Sequence, residues 1–154
     1  MAKKSAGILA YRRSSGTLEL LLVHPGGPFW AKKDLGAWSI PKGEYTDDED
    51  PLRAAKREFK EELGLDIGGD FIELSPVMQK GGKQVLAWAV ECDCDLSGFV
   101  SNTFTIEWPP SSGKMKEFPE VDKAQWFTMA EARPSINPAQ LSFINELTGK
   151  LHIF

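Results

Sequence analysis

The order of elements in this sequence predicts an α+β fold, a mixed β-sheet covered by helices, in one domain over residues 1–154. Three observations carry that expectation. Two aliphatic strand-like runs open the chain around a Ser-Ser-Gly turn at residues 14–16. A helix with its own start and stop signals follows at residues 50–64. More strand-like runs and a terminal helical pattern complete the order.

The opening runs, residues 5–12 and 18–24, read as a hairpin rich in aliphatics. Residues 25–36 then carry Gly, Pro, Phe29 and Trp30, too long and too apolar for a simple turn, and are expected to form a loop that covers a site. Phe29 and Trp30 could stack a base or cap the core. Lys32 and Lys33 could meet phosphates or stand as solvated surface lysines.

The helix is the best-marked element. Asp50 has the side chain of an N-cap, and Pro51 fits the first turn, where a missing N–H costs nothing. Leu52, Ala55, Phe59 and Leu63 recur at three- and four-residue steps as one apolar stripe, and Gly64 suits the left-handed position that closes a helix. Glu58, Glu61 and Glu62 stand at i, i+3 and i+4, so their carboxylates converge beside the stripe. Charges so placed repel one another, and they either call for a cation or stand as a solvated acidic face. Hard oxygen donors suit Mg²⁺ or Mn²⁺, which take a few carboxylates and leave other positions to water and phosphate.

Beyond Gly64, residues 71–74 and 76–80 read as strands, and Gly81-Gly82 as a turn into a strand over 83–91. In that strand Val85, Ala87 and Ala89 alternate with Leu86, Trp88 and Val90, the two-faced burial of an interior strand, with Trp88 in the core. Residues 99–108 give another strand, broken by Pro109 and Pro110, and an aromatic-bearing strand at Trp126 and Phe127 follows. Thr128 and Glu131 form a capping box for a short helix ending before Pro134. Asn137-Pro138 opens a last helix to about Lys150, with Leu141, Ile144, Leu147 and Leu151 on its apolar face.

Composition narrows the function. A net charge of −4 and a pI near 5.3 argue against a general nucleic-acid-binding surface, and an acidic protein acting on polyphosphates needs metal and local Lys or Arg. Neither a signal peptide nor a transmembrane span is read, so a cytoplasmic protein with no membrane partner is expected. Cys92 and Cys94 are accordingly expected as free thiols. His24 and His152 lack metal-ligand spacing and receive no role, and oligomeric state is left open.

The spacing around the helix has a wider pattern. Gly43, five free positions, Glu49, seven free positions, then Arg57-Glu58-Phe59-Lys60-Glu61-Glu62-Leu63-Gly64-Leu65 matches the Nudix box at every fixed position. Such a match arises by chance about once per 10⁹ starting positions at ordinary residue usage. The chain therefore resembles the Nudix hydrolase superfamily. That resemblance implies an α/β/α sandwich and metal-dependent hydrolysis of a nucleoside diphosphate linked to another group, so a small nucleotide is the expected partner.

It also implies roles. Glu58, Glu61 and Glu62 would hold Mg²⁺ or Mn²⁺, with Glu49 completing the metal shell, and Glu58, Glu61 or Glu120 would act as base. Arg57 would orient the box carboxylates, while Gly43 and Gly64 shape the motif. A loop carboxylate ahead of the last strand is a further metal ligand or base in such proteins. Glu120 fits best and Glu117 is its rival. The approach Trp38-Ser39-Ile40-Pro41-Lys42-Gly43 is similar to that of dinucleoside polyphosphate hydrolases, which makes Lys42 a candidate phosphate contact and diadenosine tetraphosphate the favoured substrate type. A tyrosine often found some sixteen residues past the box in one such group is replaced here by Gly81 and Gly82. Housecleaning hydrolysis of modified nucleoside triphosphates, RNA 5′-pyrophosphate removal and a nucleotide-sensing binding module are the alternatives.

Overall fold

The computed structural model describes residues 3–151. Strands β1 (Lys4–Ser14) and β2 (Thr17–Pro25) form the opening hairpin. Its tight turn uses positive φ at both Ser15 and Gly16, the backbone twist that matches paired strands. Strand β3 (Lys42–Glu44) leads to helix α1 (Pro51–Leu63), and β4 (Ile72–Gln79) pairs with β5 (Lys83–Glu91) across the Gly81-Gly82 turn. After a 3-10 turn at Leu96–Gly98 come β6 (Thr103–Glu107), β7 (Met115–Pro119), β8 (Val121–Thr128) and α2 (Met129–Ser135). A 3-10 turn at Pro138–Gln140 then runs into α3 (Leu141–Lys150).

The main sheet runs β4-β5-β1-β2-β8, with β3 paired to the first half of β1. Only β1 and β5 run parallel, so the sheet is mixed. One face packs Leu9, Leu20, Leu22, Trp38 and Phe127 against α2 and α3. The other packs Ile8, Leu21 and Val23 against Ala54, Ala55, Phe59 and Leu63 of α1. Alternating side chains of buried strands thus make two cores, and the result is the expected α/β/α sandwich.

The caps of α1 fall where the sequence put them. Asp50 accepts from the Arg53 N–H, Pro51 stands in the first turn, and Gly64 takes φ 72° with its N–H donating to the Lys60 carbonyl. Several boundaries differ. The segments over 71–80 are one strand, with a bulge between Leu74 and Val77 that houses Pro76, and β4 is an edge strand, where proline is tolerated. The strand expected over 99–108 shrinks to β6, which leaves the main sheet and pairs with an unforeseen β7. Pro134 lies inside α2 rather than ending it. The turn survives because the next backbone donors still pair, Ile136 N–H to Ala132 O among them. In α3 the most buried side chains are Phe143, Ile144 and Leu147, with Leu141 and Leu151 at the margin.

Cys92 and Cys94 form a disulfide with Cα atoms 5.5 Å apart, which corrects the free-thiol expectation. Strand β5 stops at Glu91, so the pair lies in an irregular run. There the Cα atoms can come within the spacing of about 4.4–6.8 Å that a disulfide spans. His152 lies outside the described residues.

Candidate active site

Three segments converge where β1 and β2 splay apart. Residues 38–44 fill the gap, with Ser39 and Val23 exchanging backbone hydrogen bonds and Ile8 N–H donating to the Pro41 carbonyl. Gly7 permits this approach, because a Cβ there would stand 2.6 Å from the Pro41 oxygen. Opposite, α1 turns Glu58 and Glu62 inward, 8% and 7% exposed. Gly43 has a matching reason: a Cβ at that position would occupy the space of the Glu58 carboxylate.

Arg57 organises the outer side. Its Nε and Nη2 donate to the two oxygens of Glu49, both at 2.9 Å, a bidentate pair, and Nη1 donates to Glu58 at 2.8 Å and to Glu61 at 3.4 Å. These bonds hold the Glu49 carboxyl below its ordinary range and the Arg57 guanidinium above its own. Both Glu49 oxygens thus accept from Arg57, an orienting geometry.

A cavity of about 150 Å³ lies on the inner side, lined by Lys42, Glu62, Glu120, Ser39, Ile40 and Val121 among others. It is smaller than the roughly 300–1,000 Å³ of whole-ligand pockets, so only part of a nucleotide could enter. Burial, then Glu58, pushes the Glu62 carboxyl up to about 9, against the pull of the Lys42 ammonium and backbone N–H. Burial and Glu61 raise Glu58, with Arg57 opposing, and the same two causes raise Glu120. Burial lowers the Lys42 ammonium, helped by Lys83 and resisted by Glu62, Glu44 and Glu58.

The residues fit a divalent cation by their chemistry. Buried, mutually repelling carboxylates are costly unless a positive charge compensates them, and their oxygens are the donors Mg²⁺ or Mn²⁺ prefers. Among the described residues no three acidic, His or Cys side chains already converge as a finished coordination shell. The site is a donor set that a cation would have to draw together.

Of the two loop carboxylates, Glu120 reaches the cavity. Its N–H donates to the Asn102 carbonyl, and the Asn102 N–H donates to the Glu61 carbonyl, both at 2.8 Å, tying it to α1. Glu117 is exposed in β7, opposite Thr105. Lys42 also reaches the cavity, whereas Lys32 and Lys33 line a separate groove of about 550 Å³ with Trp38, Lys123 and Phe127, which no box glutamate lines. Phe29, 63% exposed, meets the edge of Trp108 at 5.4 Å between ring centroids, and the Lys33 ammonium lies 5.0 Å from the Trp30 ring. Neither aromatic caps the core. Sequence reasoning missed Trp108 and the cavity wall from Val23, Pro25 and Val121, because only the pairing of β2 with β8 and with residues 38–39 puts them there.

The NUDIX domain family model matches residues 1–147. The chain belongs to the NUDIX family. Among curated relatives, the mouse asymmetrical bis(5′-nucleosyl)-tetraphosphatase is 30% identical over 59% of this chain and 66% of its own length. Its Caenorhabditis elegans counterpart is 37% identical over 42% and 43%. The chain thus spans at most about two-thirds of these curated relatives. Among solved structures, a C. elegans Ap4A hydrolase binary complex superposes with TM-score 0.68 at 20% identity, over 96% of this chain and 98% of that one. The NUDIX domain of Shewanella oneidensis NrtR complexed with ADP ribose gives 0.66 at 15%, over 98% and 89%. At such identities the superpositions speak for the fold alone.

Proposed function

We propose that this NUDIX protein is a metal-dependent pyrophosphohydrolase that cleaves a phosphoanhydride bond in dinucleoside polyphosphates such as diadenosine tetraphosphate. The observation that carries the reading is the buried Glu58 and Glu62 pair on α1, with Glu62 sharing one small cavity with Lys42 and Glu120. The curated relatives named as tetraphosphatases support the choice of substrate.

Glu58, Glu61 and Glu62 would hold Mg²⁺ or Mn²⁺. The ion, when bound, neutralises the diphosphate and lowers the pKa of water. Arg57 fixes the Glu58 carboxylate through its 2.8 Å hydrogen bond, and Glu49 fixes Arg57 in turn. Lys42 presents its ammonium to the phosphate chain as a mobile point charge. Glu120 takes the proton from the attacking water. Its raised pKa, caused by burial and by Glu61, moves it toward the pH at which a base works well. Phe29, Trp30, Lys32 and Lys33 line none of that cavity and would meet only the distal nucleoside and the far part of the phosphate chain.

The test is a nucleotide panel assayed by product chromatography with and without Mg²⁺. Conversion of diadenosine tetraphosphate to ATP and AMP, faster than that of nucleoside triphosphates, is the expected result. Preferential turnover of triphosphates would replace this substrate with the housecleaning reading. Tight nucleotide binding with no products would make the protein a sensing module.

A further inference from the structure

His24 is 2% exposed and belongs to neither the cavity nor the box. Its neighbours Val23 and Pro25 line the cavity, while the His24 ring faces the other way and meets Trp38 edge-on at 5.3 Å. Both ring nitrogens face acceptors. Nε2 donates to the Lys33 carbonyl at 2.6 Å, and Nδ1 lies 2.7 Å from Asp122 Oδ1 in a second hydrogen bond.

Asp122 occupies a singular place in the sheet. His24 pairs with Lys123 and Pro25 with Val121, so Asp122 is the extra residue of a β-bulge. The bulge changes which side chains face which way. Val121, Ala124 and Trp126 share the core on the α1 side, and Phe127 lies in the other. A regular strand repeats every two residues and cannot send both Val121 and Ala124 to one face. One inserted residue makes it possible, and that residue is the one His24 grips. Glu120 comes directly before the shifted stretch. Its carbonyl accepts from Gly26 N–H at 2.9 Å, and its N–H donates to Asn102 O at 2.8 Å.

We infer that the His24–Asp122 pair locks this bulge in register and so aims Glu120 at the cavity shared with Lys42 and Glu62. His24 is then a positioning residue that acts through Glu120. Through Lys33 the same imidazole ties down the aromatic and basic loop after β2, so one buried side chain fixes two segments beside the site. The inference rests on the proposed function only where it speaks of turnover.

The test uses His24→Ala and has two readouts. Backbone hydrogen exchange, followed by NMR, should accelerate at Gly26 and Glu120 by about tenfold or more, as expected when a local lock opens. In turnover, kcat should fall by about tenfold or more with KM changed less than kcat, since a small misplacement of a reacting group is costly. Combined with Glu120→Gln, His24→Ala should add nothing further, because both changes act on the same carboxylate. Unchanged exchange at both amides, or losses that multiply in the double variant, would overturn the lock. Should His24→Ala not fold, Asp122→Ala removes only the bond to the bulge and is judged by the same two results. If the wild-type protein hydrolyses no nucleotide, the proposed function fails, and the exchange data alone decide the lock.

Discussion

At the scale of single residues, the chemistry turns on charges that the fold has made expensive. Glu62 illustrates this, since burial and Glu58 push its carboxyl up to about 9, so without a cation it holds its proton at neutral pH. A carboxyl with a raised pKa stabilises the fold while it is neutral. That contribution is complete below the ordinary carboxylate pKa near 4.5 and disappears as pH rises through about 9. Metal-free protein should therefore lose melting temperature between pH 5 and pH 9, measured by calorimetry in EDTA, and Glu62→Gln should flatten that profile. A wild-type melting temperature independent of pH across this window would contradict the assignment. In turnover assays, Glu61→Gln and Glu62→Gln should each lower kcat by about 10² or more, the cost of losing a positioned charge beside a reacting phosphate. Retained activity in both variants would mean that the acidic face is only solvated.

At the scale of elements, β3 and α1 fit together by shape as well as charge. Gly43 pairs with Ala6 of β1, so β3 cannot simply step aside, and the Glu58 carboxylate fills the space next to it. Gly43→Ala should force Glu58 off its 2.8 Å hydrogen bond with Arg57. The expected cost is about tenfold or more in kcat from the displaced carboxylate. A fall of a few degrees in melting temperature would go with it, about 2–4 °C for each kcal/mol in a chain of this size. Steady-state kinetics and a thermal melt on the one variant check both. Wild-type kcat in Gly43→Ala would show that Glu58 has freedom the packed geometry denies it.

At the scale of the whole molecule, two cores clamp one mixed sheet, and the carboxylate site sits at the seam where β1 and β2 part around residues 38–44. A cation bound there would offset the repulsion among the α1 carboxylates, so it should act on stability as well as on rate. Removal of divalent metal with EDTA should abolish hydrolysis, and Mg²⁺ or Mn²⁺ should restore it. Saturating Mg²⁺ should raise the melting temperature, since a ligand at a hundred times its Kd adds about 2.7 kcal/mol to a native state that alone binds it. Turnover that survives exhaustive chelation would rule out the metal-held mechanism. No helix among the described residues is long and apolar enough to cross a membrane.

What the sequence determined by itself lies within reach of one helix. The caps at Asp50 and Gly64, the stripe through Phe59 and Leu63, and the placing of Glu58, Glu61 and Glu62 at i, i+3 and i+4 all follow from the 3.6-residue repeat, which needs no partner segment. The α+β order was legible for the same reason, since each strand and helix carries its own periodicity. Only the tertiary structure decided between Glu117 and Glu120 at the cavity, turned Glu49 toward Arg57, sent Lys32 and Lys33 into a different groove, and joined Cys92 to Cys94. It also made His24, which the sequence left without a role, the grip on the Asp122 bulge. For the residues that the sheet places, strand register is the physical reason. A slip of one residue sends every side chain to the opposite face, and register is fixed by contacts between segments up to a hundred positions apart, which no local spacing records.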